Sequence, residues 1–174
     1  MKKLYAPWRH PYVSNKKKHS NNENLKNNCV FCDKFEQDND KENLILKRFD
    51  CSIVIMNSYP YNAGHLMVLP TEHKDDLSDV SSPVKAELMD VVTLSKEILQ
   101  DVLTCEGFNI GINLGSAGGG GIPSHLHIHI LPRWSGDTNF LATLGDIKLI
   151  CSDLNEIYSN LKKKFDLVKI KTVN

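Results

Sequence analysis

Between residues 124 and 133 the chain alternates strictly between two kinds of side chain. His125, His127 and His129 hold one parity, and Leu126, Ile128 and Ile130 hold the other. Successive side chains of a strand leave opposite faces, so the pattern predicts a strand with an aliphatic row in a core and three imidazoles on the other side. A helix would scatter the same residues around its circumference. Four further strands are expected. Residues 43–49 and 51–56 are rich in aliphatics and part at Asp50, residues 65–70 end at Pro70, and residues 108–113 show period-two patterning. Val84, Leu88, Val91, Ile98 and Val102 recur at helical spacing. They predict one long helix with Ser82 as N-cap, Pro83 at the first helical position and Gly107 as C-cap. A shorter helix is expected near residues 152–165, with Leu154, Ile157, Leu161 and Phe165 on one side. Three strands, a helix, two strands and a helix, joined by short connections, predict an α+β domain. Its sheet is expected to be a five-stranded antiparallel meander, with the long helix on one face and a C-terminal helix after it.

Composition adjusts this picture at the N-terminus. Residues 1–28 carry six Lys and one Arg against one Glu, a balance of +6 in a chain whose formal net charge is zero. Leu4, Tyr5, Trp8, Tyr12 and Val13 make residues 1–13 an arm expected to dock, whereas residues 14–28 contain a single aliphatic, Leu25, and read as a polar linker. The domain proper is expected over residues 29–174. No aromatics interleave the basic residues between 14 and 28, so a nucleic-acid interface is not expected. No run is apolar enough for a membrane span or a signal core, and the five cysteines are odd in number and scattered. A reducing cytoplasm is the expected compartment.

Two features carry chemistry. Residues 115–121 include five glycines, and they run almost directly into the histidine row. Glycine lets backbone N–H groups converge on an anion, so the amides of Gly119, Gly120, Gly121 and Ile122 are candidates to hold phosphate oxygens beside the imidazoles. A neutral imidazole is nucleophilic near physiological pH, and a hydrogen bond from its second nitrogen to a carbonyl would fix the attacking tautomer. The second feature is Cys29-x-x-Cys32. Its spacing suits metal binding or redox work, and equally two free thiols; the pair alone decides none of these.

The row at 125–130 resembles the signature of the histidine triad (HIT) superfamily of nucleotide hydrolases and transferases. Residues 57–70, with Gly64-His65, resemble that family's earlier motif. Residues 107–115 and 132–140, with the opening Leu4-Tyr5-Ala6-Pro7-Trp8-Arg9, are similar to a branch containing diadenosine tetraphosphate phosphorylases and related hydrolases. The resemblance implies a HIT-like fold and attack by His127 on the α-phosphorus of an adenine (di)nucleoside polyphosphate. A nucleotidyl-histidine would form and be released by water or phosphate. It implies that His129 and His65 flank the phosphates, that Asn57 bonds the ribose and that Asn113 lies near the phosphates. It implies a structural Zn²⁺ on Cys29, Cys32, His73 and His125, and a homodimer. Residues 118–123 hold neither the Gln nor the Ser that many relatives place beside the leaving group. Three alternatives stay open: a Hint-like nucleoside phosphoramidase, a catalytically idle nucleotide-binding protein, and a metalloenzyme with the three histidines as ligands.

Overall fold

The computed structural model describes residues 29–119, 121–139, 144–145 and 153–169. The expected arm and linker at 1–28, Gly120 and Cys151 lie outside the described residues. The elements run α1 (Val30–Glu36), β1 (Ile45–Arg48), β2 (Ser52–Met56), β3 (Leu66–Pro70), α2 (Ser82–Leu103), β4 (Gly107–Ile112), β5 (Ile128–Arg133) and α3 (Leu154–Asp166). The five strands form one antiparallel sheet in the order β1-β2-β3-β5-β4. The first three are the expected meander. The next strand in space is β5 rather than β4, because α2 carries the chain past β3 and β5 returns into the gap. The histidine row is thereby central, and β4 forms an edge.

Alternation along β3 and β5 sorts the sheet into two faces. Leu66 pairs with Ile130 and Val68 with Ile128, all four almost fully buried. At about 1.5–3 kcal/mol for each fully buried large aliphatic, this face supplies much of the driving force for folding. It is covered by α2, whose inward stripe is Leu88, Val91, Val92, Ser95, Ile98 and Leu99. Helix α3 packs beside α2 over β1, burying Ile157, Tyr158, Leu161 and Phe165. A register shift between Ile45 and Lys47 interrupts the β1–β2 ladder, and the Tyr158 hydroxyl donates to the Ile45 carbonyl at 3.0 Å. The opposite face carries His65, Met67, His127 and His129.

Several boundaries depart from expectation for local reasons. Ser81, not Ser82, is the N-cap of α2, so Ser82 and Pro83 occupy its first turn. Gly107 does not cap the helix: Thr104 adopts the left-handed conformation at φ 48°, its N–H bonds to Gln100, and Gly107 opens β4. Asp153 caps α3, accepting from the amides of Asn155 and Glu156. Helix α1 was not expected, because seven residues are too few for a periodic signal and too few to be stable alone. The β5 ladder begins only at Ile128. β3 is paired to β5 as far as Val68, and beyond it Pro70 has no N–H to donate. The amide of Leu126 bonds instead to the Lys74 carbonyl at 2.6 Å. Among the described residues, no helix is long and apolar enough to cross a membrane.

Candidate active site and metal centre

The loop between β2 and β3 builds one wall of the site. It is closed by Asn57 N–H to the His65 carbonyl (2.9 Å) and His65 N–H to the Asn62 carbonyl (3.2 Å). Gly64 turns the corner at φ +70°, where a Cβ would stand 2.4 Å from Leu103 Cδ1 and 3.2 Å from Leu99 Cδ2. A side chain at residue 64 would therefore be strained in its backbone and crowded against α2. The buried Asn62 anchors the loop from below, donating to the Pro132 carbonyl (2.8 Å) and to Asp137 Oδ2 (3.0 Å). Arg133 grips the same carboxylate with both Nε (2.6 Å) and Nη2 (2.8 Å), and its Nη1 donates to Asn109. The hydrogen bonds from Arg133 hold the Asp137 carboxyl well below the usual carboxylate range.

Hydrogen-bond partners assign the imidazole tautomers. His65 Nδ1 accepts the Tyr61 N–H (3.2 Å) and faces Asn57 Nδ2 (3.3 Å), whose Oδ1 is occupied by the Tyr59 N–H. His65 must therefore carry its proton on Nε2, which lies 2.9 Å from His129 Nδ1. His129 thus accepts at Nδ1 and presents an N–H at Nε2. His127 is set the other way round: Nδ1 donates to the His125 carbonyl at 2.7 Å, and among the described residues none bonds to its Nε2. All three rings are nearly buried. Burial drives His65 down to about 3 and His129 down to about 4, with neighbouring imidazoles adding to both, and it lowers His127 as well. Each is neutral at physiological pH, which a nucleophile and a hydrogen-bond relay both require.

His125 belongs to a different cluster. Its Nδ1 lies 3.4 Å from Cys29 Sγ and 3.6 Å from Cys32 Sγ, and Cys32 Sγ lies 3.3 Å from His73 Nδ1. The four ligand atoms fall within 4.8 Å of one another. Tetrahedral bonds of about 2.3 Å to sulfur and about 2.0 Å to nitrogen set such ligands roughly 3.5 Å apart, so these residues can hold a metal ion. The second shell also fits. His125 Nε2 donates to the Pro70 carbonyl at 3.0 Å, which frees Nδ1 as a ligand. Burial, with Cys29 as neighbour, pushes the free Cys32 thiol up to about 11, so metal binding must displace a proton.

The expected residues therefore divide. His65, His127 and His129 converge, with Asn57 at the rim, while Cys29, Cys32, His73 and His125 form a separate cluster that could hold a metal ion. Alternation along β4 places Asn113 on the histidine side, just past the strand's end at Ile112. The glycine loop departs in part from expectation, because the Gly119 amide donates to the Ser116 carbonyl at 3.3 Å and closes the loop's own turn. Ile122 packs against the core. Sequence reasoning missed Tyr61, whose ring lies 4.8 Å from His65 and 6.1 Å from His129, and Phe31, which touches His125 and His127. Their positions within the Tyr59-Pro60-Tyr61 turn and the Cys-x-x-Cys segment were the available signals.

The histidine triad domain pattern, described as HIT domain, matches residues 38–136, and the chain belongs to the HIT family. Within it, the chain is 40% identical over 111 residues to an AP-4-A phosphorylase of Mycobacterium tuberculosis (strain ATCC 25618 / H37Rv). That match covers 64% of this chain and 57% of the relative, so the chain spans little more than half of that protein's length. It is 27% identical over 117 residues to the asymmetrical bis(5'-nucleosyl)-tetraphosphatase of Schizosaccharomyces pombe, covering 67% of this chain and 60% of that one. Among solved structures, a Zn-bound histidine triad family protein from Mycobacterium smegmatis superposes with a TM-score of 0.64 at 25% identity, over 79% of this chain and 93% of that chain.

Proposed function

We propose that this protein is a nucleotidyl-transferring hydrolase or phosphorylase of adenine dinucleoside polyphosphates, with His127 as its nucleophile. The observation that carries the reading is the 2.7 Å bond from His127 Nδ1 to the His125 carbonyl, which leaves Nε2 free to attack. In the first step Nε2 bonds to the α-phosphorus while the P–O bond to the leaving nucleotide breaks. The His125 carbonyl stabilises the cationic ring that results, and the Nε2–H of His129 donates to a phosphate oxygen where negative charge builds. In the second step water or inorganic phosphate attacks the phosphorus, the P–N bond breaks and His127 is restored. Asn57 at the rim is assigned to the ribose hydroxyls, and Asn113 with the Gly121 and Ile122 amides to the phosphates. Gly119 is a weaker phosphate donor in this reading, because its amide already serves the loop.

Cys29, Cys32, His73 and His125 are assigned to Zn²⁺; four protein ligands fill a tetrahedral sphere, so the ion would be structural rather than reactive. The similarity to a phosphorylase and to a tetraphosphatase supports the substrate class and leaves two acceptors to test. Purified protein given diadenosine tetraphosphate is expected to release mononucleotides. ADP should accumulate with added phosphate if the acceptor is phosphate, and AMP without it if the acceptor is water. Neither product under either condition would refute the assignment.

We further infer a homodimer. Strand β4 lies at the sheet edge with Ile110 47% exposed, an arrangement that invites edge pairing with a second copy. The mass in solution is expected to be twice the chain mass. A monomer at micromolar concentration would overturn this.

A further inference from the structure

The Cys-x-x-Cys segment does more than supply two thiols. Cys29 immediately precedes α1 and Cys32 lies in its first turn, so the cluster grips the N-terminal end of this helix. Its C-terminal end is held separately, by Arg48 donating to the carbonyls of Phe35 (2.8 Å) and Gln37 (3.3 Å). Between the thiols stands Phe31, 4% exposed. Its ring centroid lies 5.7 Å from that of His125 at 75° and 5.6 Å from that of His127 at 52°. Phe35, one turn on, closes edge-on against His125 at 5.7 Å and stacks on Phe31 at 6.4 Å. On the His127 ring's other contact, His129 sits edge-on at 4.7 Å.

We propose that Phe31 is a positioning residue for the nucleophile, holding the His127 ring against His129 in the one orientation that keeps Nδ1 on the His125 carbonyl and Nε2 toward the substrate. The proposal rests on the reading of His127 as nucleophile. A single hydrogen bond fixes a ring only while the ring cannot turn, and packed neighbours are what prevent turning. Phe31 touches the ring of His125 and the ring of His127, while the carbonyl of His125 is the acceptor for His127. The metal cluster and the nucleophile are thus joined twice, once through backbone and once through an aromatic wall. Because Phe31 is almost fully buried, it offers a bound nucleotide next to no surface. Its removal should act on turnover rather than on binding.

The test uses the full chain as purified with its metal, comparing Phe31→Ala and Phe31→Leu with the parent. Bound metal is measured by elemental analysis, kcat and KM with diadenosine tetraphosphate, and the His127 tautomer by imidazole ¹H–¹⁵N spectra. Phe31→Ala is expected to lower kcat about 10- to 100-fold with KM changed by less than about threefold, since small misplacements of reacting groups cost this much. Metal content should be unchanged, and the His127 Nδ1–H signal should broaden or give way to mixed tautomers. Phe31→Leu, which keeps apolar bulk, should recover most of kcat. A kcat for Phe31→Ala within about twofold of the parent, with a sharp Nδ1–H signal, would overturn the proposal. So would a fall in kcat that follows metal loss in both variants, because Phe31 would then merely support the clip. If the parent turns over no dinucleotide, the functional reading fails, and the imidazole spectra alone still decide whether Phe31 holds the ring.

Discussion

Replacing His127 with alanine is expected to reduce turnover by about 10⁴-fold or more while nucleotide binding persists, because the variant keeps the site and loses the attacking atom. Mass spectrometry of parent protein quenched during turnover should reveal a nucleotidyl adduct on His127, and the variant should carry none. His129→Ala should cost less, about 10²-fold, since it removes a hydrogen-bond donor rather than the nucleophile. The pH profile follows from the sign of the shifts. Burial lowers the His127 imidazole below its ordinary value, so its neutral, nucleophilic form survives further into acid. The rate should hold its plateau at and just below pH 6.5 and fall in more acid solution, as the His127 imidazole gains a proton and, toward about pH 4, as His129 gains one and can no longer accept from His65. Half-loss of the rate near pH 6.5, or full turnover by the alanine variant, would contradict the assignment.

Removing the metal is expected to have the largest effect on stability. Helix α1 has seven residues and cannot persist on backbone bonds alone, and His73 sits in an exposed connection beyond β3. A metal on the cluster would add to the ring contacts of Phe31, Phe35 and His73 with His125 that join them. Losing about 4 kcal/mol, modest for a structural tetrahedral site, lowers Tm of a domain this size by roughly 10 °C. Cys32→Ala, or treatment with a strong chelator, should produce that fall in a thermal melt and should also reduce turnover, since His125 would no longer hold its carbonyl in place for His127. Protons compete for the thiolates, so the metal should be lost more easily in acid than at neutral pH. Fewer than about half an equivalent of zinc in freshly purified protein, or an unchanged Tm after complete removal, would count against a structural ion.

Much of the site could be read from the chain because it obeys a local rule. Alternation placed His127 and His129 on one face and Ile128 and Ile130 on the other, and the structure keeps that division. The long helix was legible from the spacing of Leu88, Val91 and Ile98, and its N-terminal Ser-Ser-Pro marked the start within one residue. Its end was not, because Thr104 takes a left-handed conformation that residue preference assigns to the nearby glycine. Helix α1 left no periodic trace, since seven residues span only about two turns and its contacts are with residues distant in sequence, His73 and His125 among them, 41 and 93 residues from Cys32.

What the sequence determined by itself was the inventory: five strands, two helices, a histidine row, a glycine loop and a thiol pair. The tertiary structure decided what each histidine does. His125, His127 and His129 are alike in type and spacing. One turns Nδ1 toward the Cys29 and Cys32 thiols, one gives Nδ1–H to a carbonyl, and one accepts at Nδ1 from His65. Imidazole has two nitrogens and one proton, and the partner that occupies one nitrogen determines what the other can do. Those partners come from the 57–65 loop, α1 and the turn after β3, and only the folded sheet brings them to the same few ångströms.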